Sequence, residues 1–316
     1  MVKSLNRAAM LAIIPLMAFA ITAMTKGNAG GRVVAPSPGV LVVANLREES
    51  LSFLTLPAGT TRTLALSGAP HELAIANGRL YVTLPHRELV LELDPVAPGV
   101  LRSVSLDGEP HGLAVAGGEL LTTLDRGGSV VRLGRSSLEE VARARLGDTP
   151  HAVAADTSGT YVTVSRENRV VRIEGGEASA TGPIPESVAL TGRYVVTADA
   201  GGSLSVFEKG SLTFFGRMHL DGGPIRVITV EGDTVAVALN TRAEVAIIDL
   251  ARWKVIKRIG VLPRPDGLCL SPDGEHLAVV SNATNTVQLY GTGSWRAAGI
   301  YATGLGPGAC SWLAER

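Results

Sequence analysis

The chain has 316 residues, 46% of them hydrophobic, and its 29 Lys and Arg balance its 29 Asp and Glu to a formal net charge of zero. At 18% charged residues it is too apolar for a disordered chain and too polar for a helical integral membrane protein. Lacking a basic excess or a Lys/Arg run, it has no electrostatic footprint for nucleic acid, and no such partner is expected.

The first thirty residues differ from all that follow. Residues 1–7 carry Lys3 and Arg7 and no acid, residues 8–24 form an apolar run, and residues 25–31 are small and polar. That order is the order of a secretory signal peptide, with cleavage expected after Ala29. The apolar run also approaches bilayer-spanning length, so a retained N-terminal anchor over residues 1–29 is the alternative. Membrane contact is expected only through this segment, if it stays uncleaved. No Cys follows the run, which argues against a lipid-anchored lipoprotein. Residues 30–38 read as a linker, and residues 39–316 as a domain working outside the cytoplasm, in a periplasm, at a cell surface or secreted.

Internal repeats organise that domain. Gly-Ala-Pro-His-Glu-Leu-Ala-Ile at 68–75 returns as Gly-Glu-Pro-His-Gly-Leu-Ala-Val at 108–115 and as Asp-Thr-Pro-His-Ala-Val-Ala-Ala at 148–155. Weaker copies start at Pro185, Pro224, Pro265 and Pro307, and the spacings from Pro70 are 40, 40, 35, 39, 41 and 42 residues. Within a unit the apolar alternation has period two. In the first unit, Leu73 and Ile75 are followed by runs at 80–84, 89–93 and 101–106, separated by Gly, Pro, Asp and Asn. Four short strands in about forty residues make a propeller blade, and the chain reads as an all-β, seven-bladed propeller of four-stranded antiparallel blades.

Small residues recur four past each repeat Pro (Ala74, Ala114, Ala154, Ala189, Ile228, Cys269, Ser311), while Leu or Val dominates three past it. One slim face and one filled face on the innermost strand suit blades converging on an axis. The seventh unit, from Pro307, holds one strand only. Three unpaired strands are expected at 40–45, 51–56 and 61–66, and joining them to the C-terminal strand closes the ring and removes an exposed edge.

At Leu80-Tyr81-Val82-Thr83 and Tyr161-Val162-Thr163, and most fully over Ser271-Pro-Asp-Gly, Leu277-Ala-Val-Val-Ser-Asn282 and Asn285-Thr-Val-Gln-Leu-Tyr290, the chain resembles the YVTN family of β-propeller repeats. The resemblance covers about residue 39 to the end. It implies an exported or surface propeller. Related propellers include lactonases, a metal-dependent antibiotic-ring lyase and amine dehydrogenase heavy chains, so it implies no single reaction. The sequence carries no Cys-x-x-Cys-His for covalent haem, no Gly-x-Ser-x-Gly elbow and no phosphate-binding glycine loop.

The residue after each repeat Pro opens the innermost strand at the channel mouth. These residues are His71, His111, His151, Glu186, Ile225, Asp266 and Gly308. Imidazoles and carboxylates from consecutive blades are ligands for a divalent metal such as Zn, Mn or Ca. His71, His111, His151 and Glu186 form the expected set, with Asp266 a further member. Duplication supplies the competing account, in which one inherited histidine appears three times and bonds to loop carbonyls. His86, Arg126, Arg166 and Asp199 sit in loops near the same mouth. His219 and His276 fall on other strands, with structural or surface roles expected. Cys269 and Cys310 face one blade interface, yet the 10 Å between packed sheets favours two free thiols over a disulfide. Trp253 and Trp295 follow third strands and are expected to pack turns.

Two functions are therefore carried forward. One is an extracytoplasmic binding propeller without chemistry of its own, taking a small molecule or protein at the channel mouth on its top face. The other is a metal-dependent lyase or hydrolase, lactonase-like, using the histidine cluster.

Overall fold

The computed structural model describes residues 35–313. The signal or anchor reading of residues 1–29 lies outside the described residues, as does most of the linker. Seven sheets of four antiparallel strands are arranged in a ring. Blade 1 runs Leu73–Ala76, Arg79–Leu84, Leu89–Asp94 and Gly99–Ser105 from the axis outwards. The six following repeat units found blades 2 to 7 in turn.

Blade 7 is composite. The C-terminal strand Pro307–Leu313 is innermost and pairs with Gly39–Asn45, which carries Ser50–Leu56 and then Thr60–Ala65 outwards. Leu41 faces Trp312 and Val43 faces Cys310 in that register. The chain closes its own ring.

Seven buried apolar clusters are found among the described residues, one at each blade interface. The slim-and-filled alternation explains them. Leu73 packs toward blade 7 and Ala74 toward blade 2, because successive side chains of a strand point to opposite faces.

Near the axis the innermost strands come very close. A Cβ on Gly112 would lie 2.3 Å from the His151 carbonyl oxygen, and one on Gly267 would lie 2.6 Å from that of Gly308. This convergence overturns the expectation of free thiols. Cys269 and Cys310 form a disulfide between the innermost strands of blades 6 and 7, with their Cα atoms 5.9 Å apart. The 10 Å spacing is a mean over packed sheets, and it does not hold where blades meet the axis.

His276 is fully buried at the start of blade 6's second strand, with Nδ1 2.7 Å from Ser37 Oγ. Its role is structural. Trp295 packs at the interface of blades 5 and 6, and Trp253 lies edge-on to Phe215 with centroids 5.5 Å apart.

Candidate functional site

The histidines are placed by a threonine relay. In blade 1, Thr83 Oγ1 accepts from the Glu72 backbone N–H at 3.0 Å and donates to the His111 carbonyl at 2.9 Å. Thr123 repeats this, accepting from Gly112 N–H at 2.8 Å and donating to the His151 carbonyl at 2.6 Å. Thr163 accepts from Ala152 N–H at 2.9 Å. Thr83 and Thr123 thus tie their own blade's innermost strand to the next blade's histidine, while Thr163 holds the innermost strand of blade 3. In blade 4 Ser187 takes over, exchanging bonds with Val227, and there the histidine series ends.

Register shifts between the repeat Pro and the residue three on, as at Pro110/Leu113 and Pro150/Val153, turn the intervening side chain toward the channel. The three rings consequently form an arc. Centroids lie 3.6 Å apart for His71 and His111 and 4.1 Å apart for His111 and His151. His151 ends the arc on Glu186, with Nδ1 2.9 Å from the Glu186 carbonyl oxygen and Nε2 3.2 Å from its carboxylate. Asp125, just past blade 2's second strand, joins from the side. One ligand atom each from His111, Asp125 and His151 lies within 4.8 Å of the other two.

Of the expected set, then, His111 and His151 come into ligand-sharing range, together with Asp125. His71 stacks behind His111. Glu186 touches His151 directly. Asp266 lies farther round the ring, near Arg226. His86 is exposed and 3.5 Å from Glu109, which Arg126 also pairs, while Arg166 pairs with Asp148 at 3.6 Å. Asp199 is fully buried and accepts from Thr197, Ser203, Ser205 and the Gly182 N–H, so it braces its own blade.

Two charged residues of the site belong to a second row, two past each repeat Pro. That row reads Glu72, Gly112, Ala152, Ser187, Arg226, Gly267 and Ala309. Arg226 of blade 5 and Glu72 of blade 1 reach across the channel and pair at 2.6 Å. The pair is a chord. On one side a cavity of about 90 Å³ is lined by His111, His151 and Glu186. On the other, one of about 200 Å³ is lined by Ile228, Leu268 and Cys310, and both cavities include Glu72 and Arg226.

Desolvation sets the ionisation here. Burial lowers the His71 pKa to about 4 and holds His111 well below the ordinary imidazole range, so both rings are neutral at pH 7. Burial raises Asp125 to about 6. Burial also works against the Arg226 charge, but Glu72, Asp266 and Glu186 hold that guanidinium above its usual value.

Asp266 carries the clearest pH signature. Burial raises its pKa to about 6 against the opposing pull of Arg226 and Arg264, with Glu72 and Glu186 adding to the rise. A folded value above the unfolded one means that stability is greatest below the unfolded pKa and falls as pH rises through about 6. Asp266→Asn is therefore expected to stabilise the protein by about 2–3 kcal/mol at about pH 7.5 and to add nothing near pH 4, as read by urea unfolding at both values. A loss at both pH values would instead make Asp266 an indispensable counter-charge for Arg226.

Comparison with known proteins bears on the fold. No protein-family model and no curated protein sequence matches the chain. Solved structures match it widely at low identity. A functionally unknown protein from Desulfotomaculum acetoxidans superposes with a TM-score of 0.73 at 14% identity, covering 87% of this chain and 98% of that one. A 6-phosphogluconolactonase candidate from Bacteroides fragilis gives 0.72 at 14%, covering 88% and 98%. Apo AztD from Citrobacter koseri gives 0.69 at 10%, covering 89% and 100%. At such identities the likeness establishes the propeller and carries no activity with it.

Proposed function

We propose that this chain is an extracytoplasmic binding propeller of YVTN-like repeats that takes its ligand at the channel mouth. One observation carries the reading. Of the seven buried side-chain atoms without a hydrogen-bond partner among the described residues, four (His71 Nδ1, His111 Nδ1, Asp125 Oδ1 and Arg226 Nε) fall within one ring of side chains at the channel, while Asn45 Oδ1, His276 Nε2 and Trp312 Nε1 belong to blades 6 and 7. A buried polar atom left unpaired costs about 1–3 kcal/mol, and such costs persist where a ligand supplies the missing partner. The inherited-histidine account requires each ring to bond a loop carbonyl. Of the three, His151 bonds the Glu186 carbonyl and His111 keeps a weaker backbone interaction with His151, which leaves His71 without such a bond. The disulfide supports the compartment, since such bonds persist in oxidising surroundings.

Among the similar structures, the lactonase candidates of Bacteroides fragilis and Bacteroides uniformis share only the fold with this chain at 14% identity. Binding is accordingly proposed ahead of hydrolysis or ring-opening.

The test exploits the cost of the unpaired atoms. His71→Leu and His111→Leu fill similar volume with no polar atom. In chelator-treated protein each is expected to raise the thermal midpoint by about 2–3 °C, equivalent to about 1–2 kcal/mol. Histidines serving the fold would give the opposite sign, a fall of several degrees in both variants, and the channel-mouth reading would be abandoned.

A further inference from the structure

The inference that follows rests on the channel-mouth reading and names the ligand's class. We infer that His111, Asp125 and His151 hold one divalent transition-metal ion of the zinc class at the inner wall of blades 2 and 3.

Three independent features point to an ion. The first is tautomer control. With His151 Nδ1 donating to the Glu186 carbonyl at 2.9 Å, its Nε2 lone pair faces the Glu186 carboxylate at 3.2 Å. A lone pair set against a carboxylate is repulsive, so Nε2 must carry either a proton or a metal ion there. An imidazole that donates one nitrogen to a carbonyl and offers the other outward has the arrangement found in metal-ligating histidines.

The second feature is a pair of buried ring and carboxylate atoms without a well-formed hydrogen bond. His111 Nδ1 and Asp125 Oδ1 are buried and unpartnered, and both residues belong to the one group of His, Cys, Asp or Glu side chains close enough to share an ion among the described residues. One ligand atom from each of His111, Asp125 and His151 lies within 4.8 Å of the others, against the roughly 3.4 Å separations of a tetrahedral shell with bonds of about 2.0–2.2 Å, so the side chains must draw together around an ion.

The third feature is charge. Glu72, Glu186, Asp125 and Asp266 act on one another across the channel, with Arg226 paired to Glu72 among them and Arg166 and Arg264 acting from its edge. The mouth therefore favours further positive charge.

The donor set selects the metal. Two imidazole nitrogens and one carboxylate oxygen suit zinc and its borderline neighbours, whereas calcium and magnesium prefer shells built from oxygen. The adjoining cavity of about 90 Å³ has space for a water or a ligand atom in the fourth position, as open zinc sites require. His71 lies outside the shell. Its ring backs His111 at 3.6 Å, which makes it a positioning residue, and Glu186 serves His151 in the same way.

Equilibrium dialysis of the purified protein against zinc, with cobalt as a spectroscopic substitute, tests this. One zinc per chain and the visible absorption of a low-coordinate cobalt site are expected. His111→Ala, His151→Ala and Asp125→Asn should each weaken zinc binding by more than about tenfold, while His219→Ala, on an exposed outer strand, leaves it unchanged. X-ray absorption of the zinc-loaded wild type gives the donor count without relying on any variant's folding. Two imidazoles with one carboxylate support the assignment, and three imidazoles overturn it in favour of His71. No zinc bound by the wild type at millimolar metal removes the ion altogether. If the stabilisation by His71→Leu and His111→Leu persists in that case, the mouth remains a binding site for another ligand, and if it too is absent both readings fall.

Discussion

A chain beginning at Leu66 is expected to lose cooperative unfolding. The deletion removes Gly39–Asn45, Ser50–Leu56 and Thr60–Ala65, the three strands that complete blade 7 around Pro307–Leu313. Leu41, Val42, Val43, Leu51, Phe53, Leu54 and Leu56 are buried to within 1% of their surface. They fill both neighbouring interfaces, with Val42 and Phe53 packing against Leu73 and Leu80 of blade 1. Leu41 and Leu54 pack against Ala278 and Val280 of blade 6. At about 1.5–3 kcal/mol for each large side chain, the lost burial exceeds 10 kcal/mol, comparable with the whole stability of an ordinary domain. The C-terminal strand is also left with an open hydrogen-bonding edge. The measurement is a thermal or urea melt followed by far- and near-ultraviolet circular dichroism. A sharp transition near the intact protein's midpoint would show that six blades and a lone strand suffice, and the closure argument would fail.

The fold was legible because one residue type marks one place seven times. The repeat Pro opens every innermost strand, at Pro110, Pro150, Pro185, Pro224, Pro265 and Pro307 as strand-starting residues and at Pro70 just ahead of Leu73. Blade count and phase follow from that mark. The terminal strands appear within one residue of their expected bounds, at 39–45, 50–56 and 60–65.

The site was half legible, for reasons of geometry. Histidines one past Pro line the mouth as the repeat implies. The row two past Pro is as informative: five small residues with Glu72 and Arg226 among them signal two long side chains meeting where nothing else reaches the axis. Asp125 had no periodic signal to betray it. Its counterparts in the flanking blades are Pro85 and Ser165, so the loop after the second strand changes character in each blade. Its approach to His111 and His151 depends on blade 2's own path. The disulfide is not legible from an average sheet spacing because the strands converge at the axis, where the two Cα atoms stand 5.9 Å apart.

That disulfide gives a second large effect. Cys269 and Cys310 are 41 residues apart and join the innermost strands of the last two blades, so the bond fastens the closing strand sideways while Gly39–Asn45 fastens it edge to edge. In the chain-entropy model, closing a loop of this length in the unfolded state contributes about 4 kcal/mol. At about 2.1 cal/mol/K per residue of unfolding entropy, this corresponds to a fall of about 7 °C in the thermal midpoint when the bond is absent. Cys269→Ala, Cys310→Ala and the double variant form a double-mutant cycle that isolates the bond from the packing of the two side chains. Half a bridge is no bridge, so each single variant should lose nearly as much as the double, and the coupling should recover most of the 4 kcal/mol estimated above. Reductant added to the wild type should lower its midpoint by a similar amount and leave the double variant unmoved. Additive single losses, with two titratable thiols in unreduced wild-type protein, would mean that the cysteines only pack together. The closing strand would then be held by its hydrogen bonds and by the apolar contacts of Trp312 and Ala309.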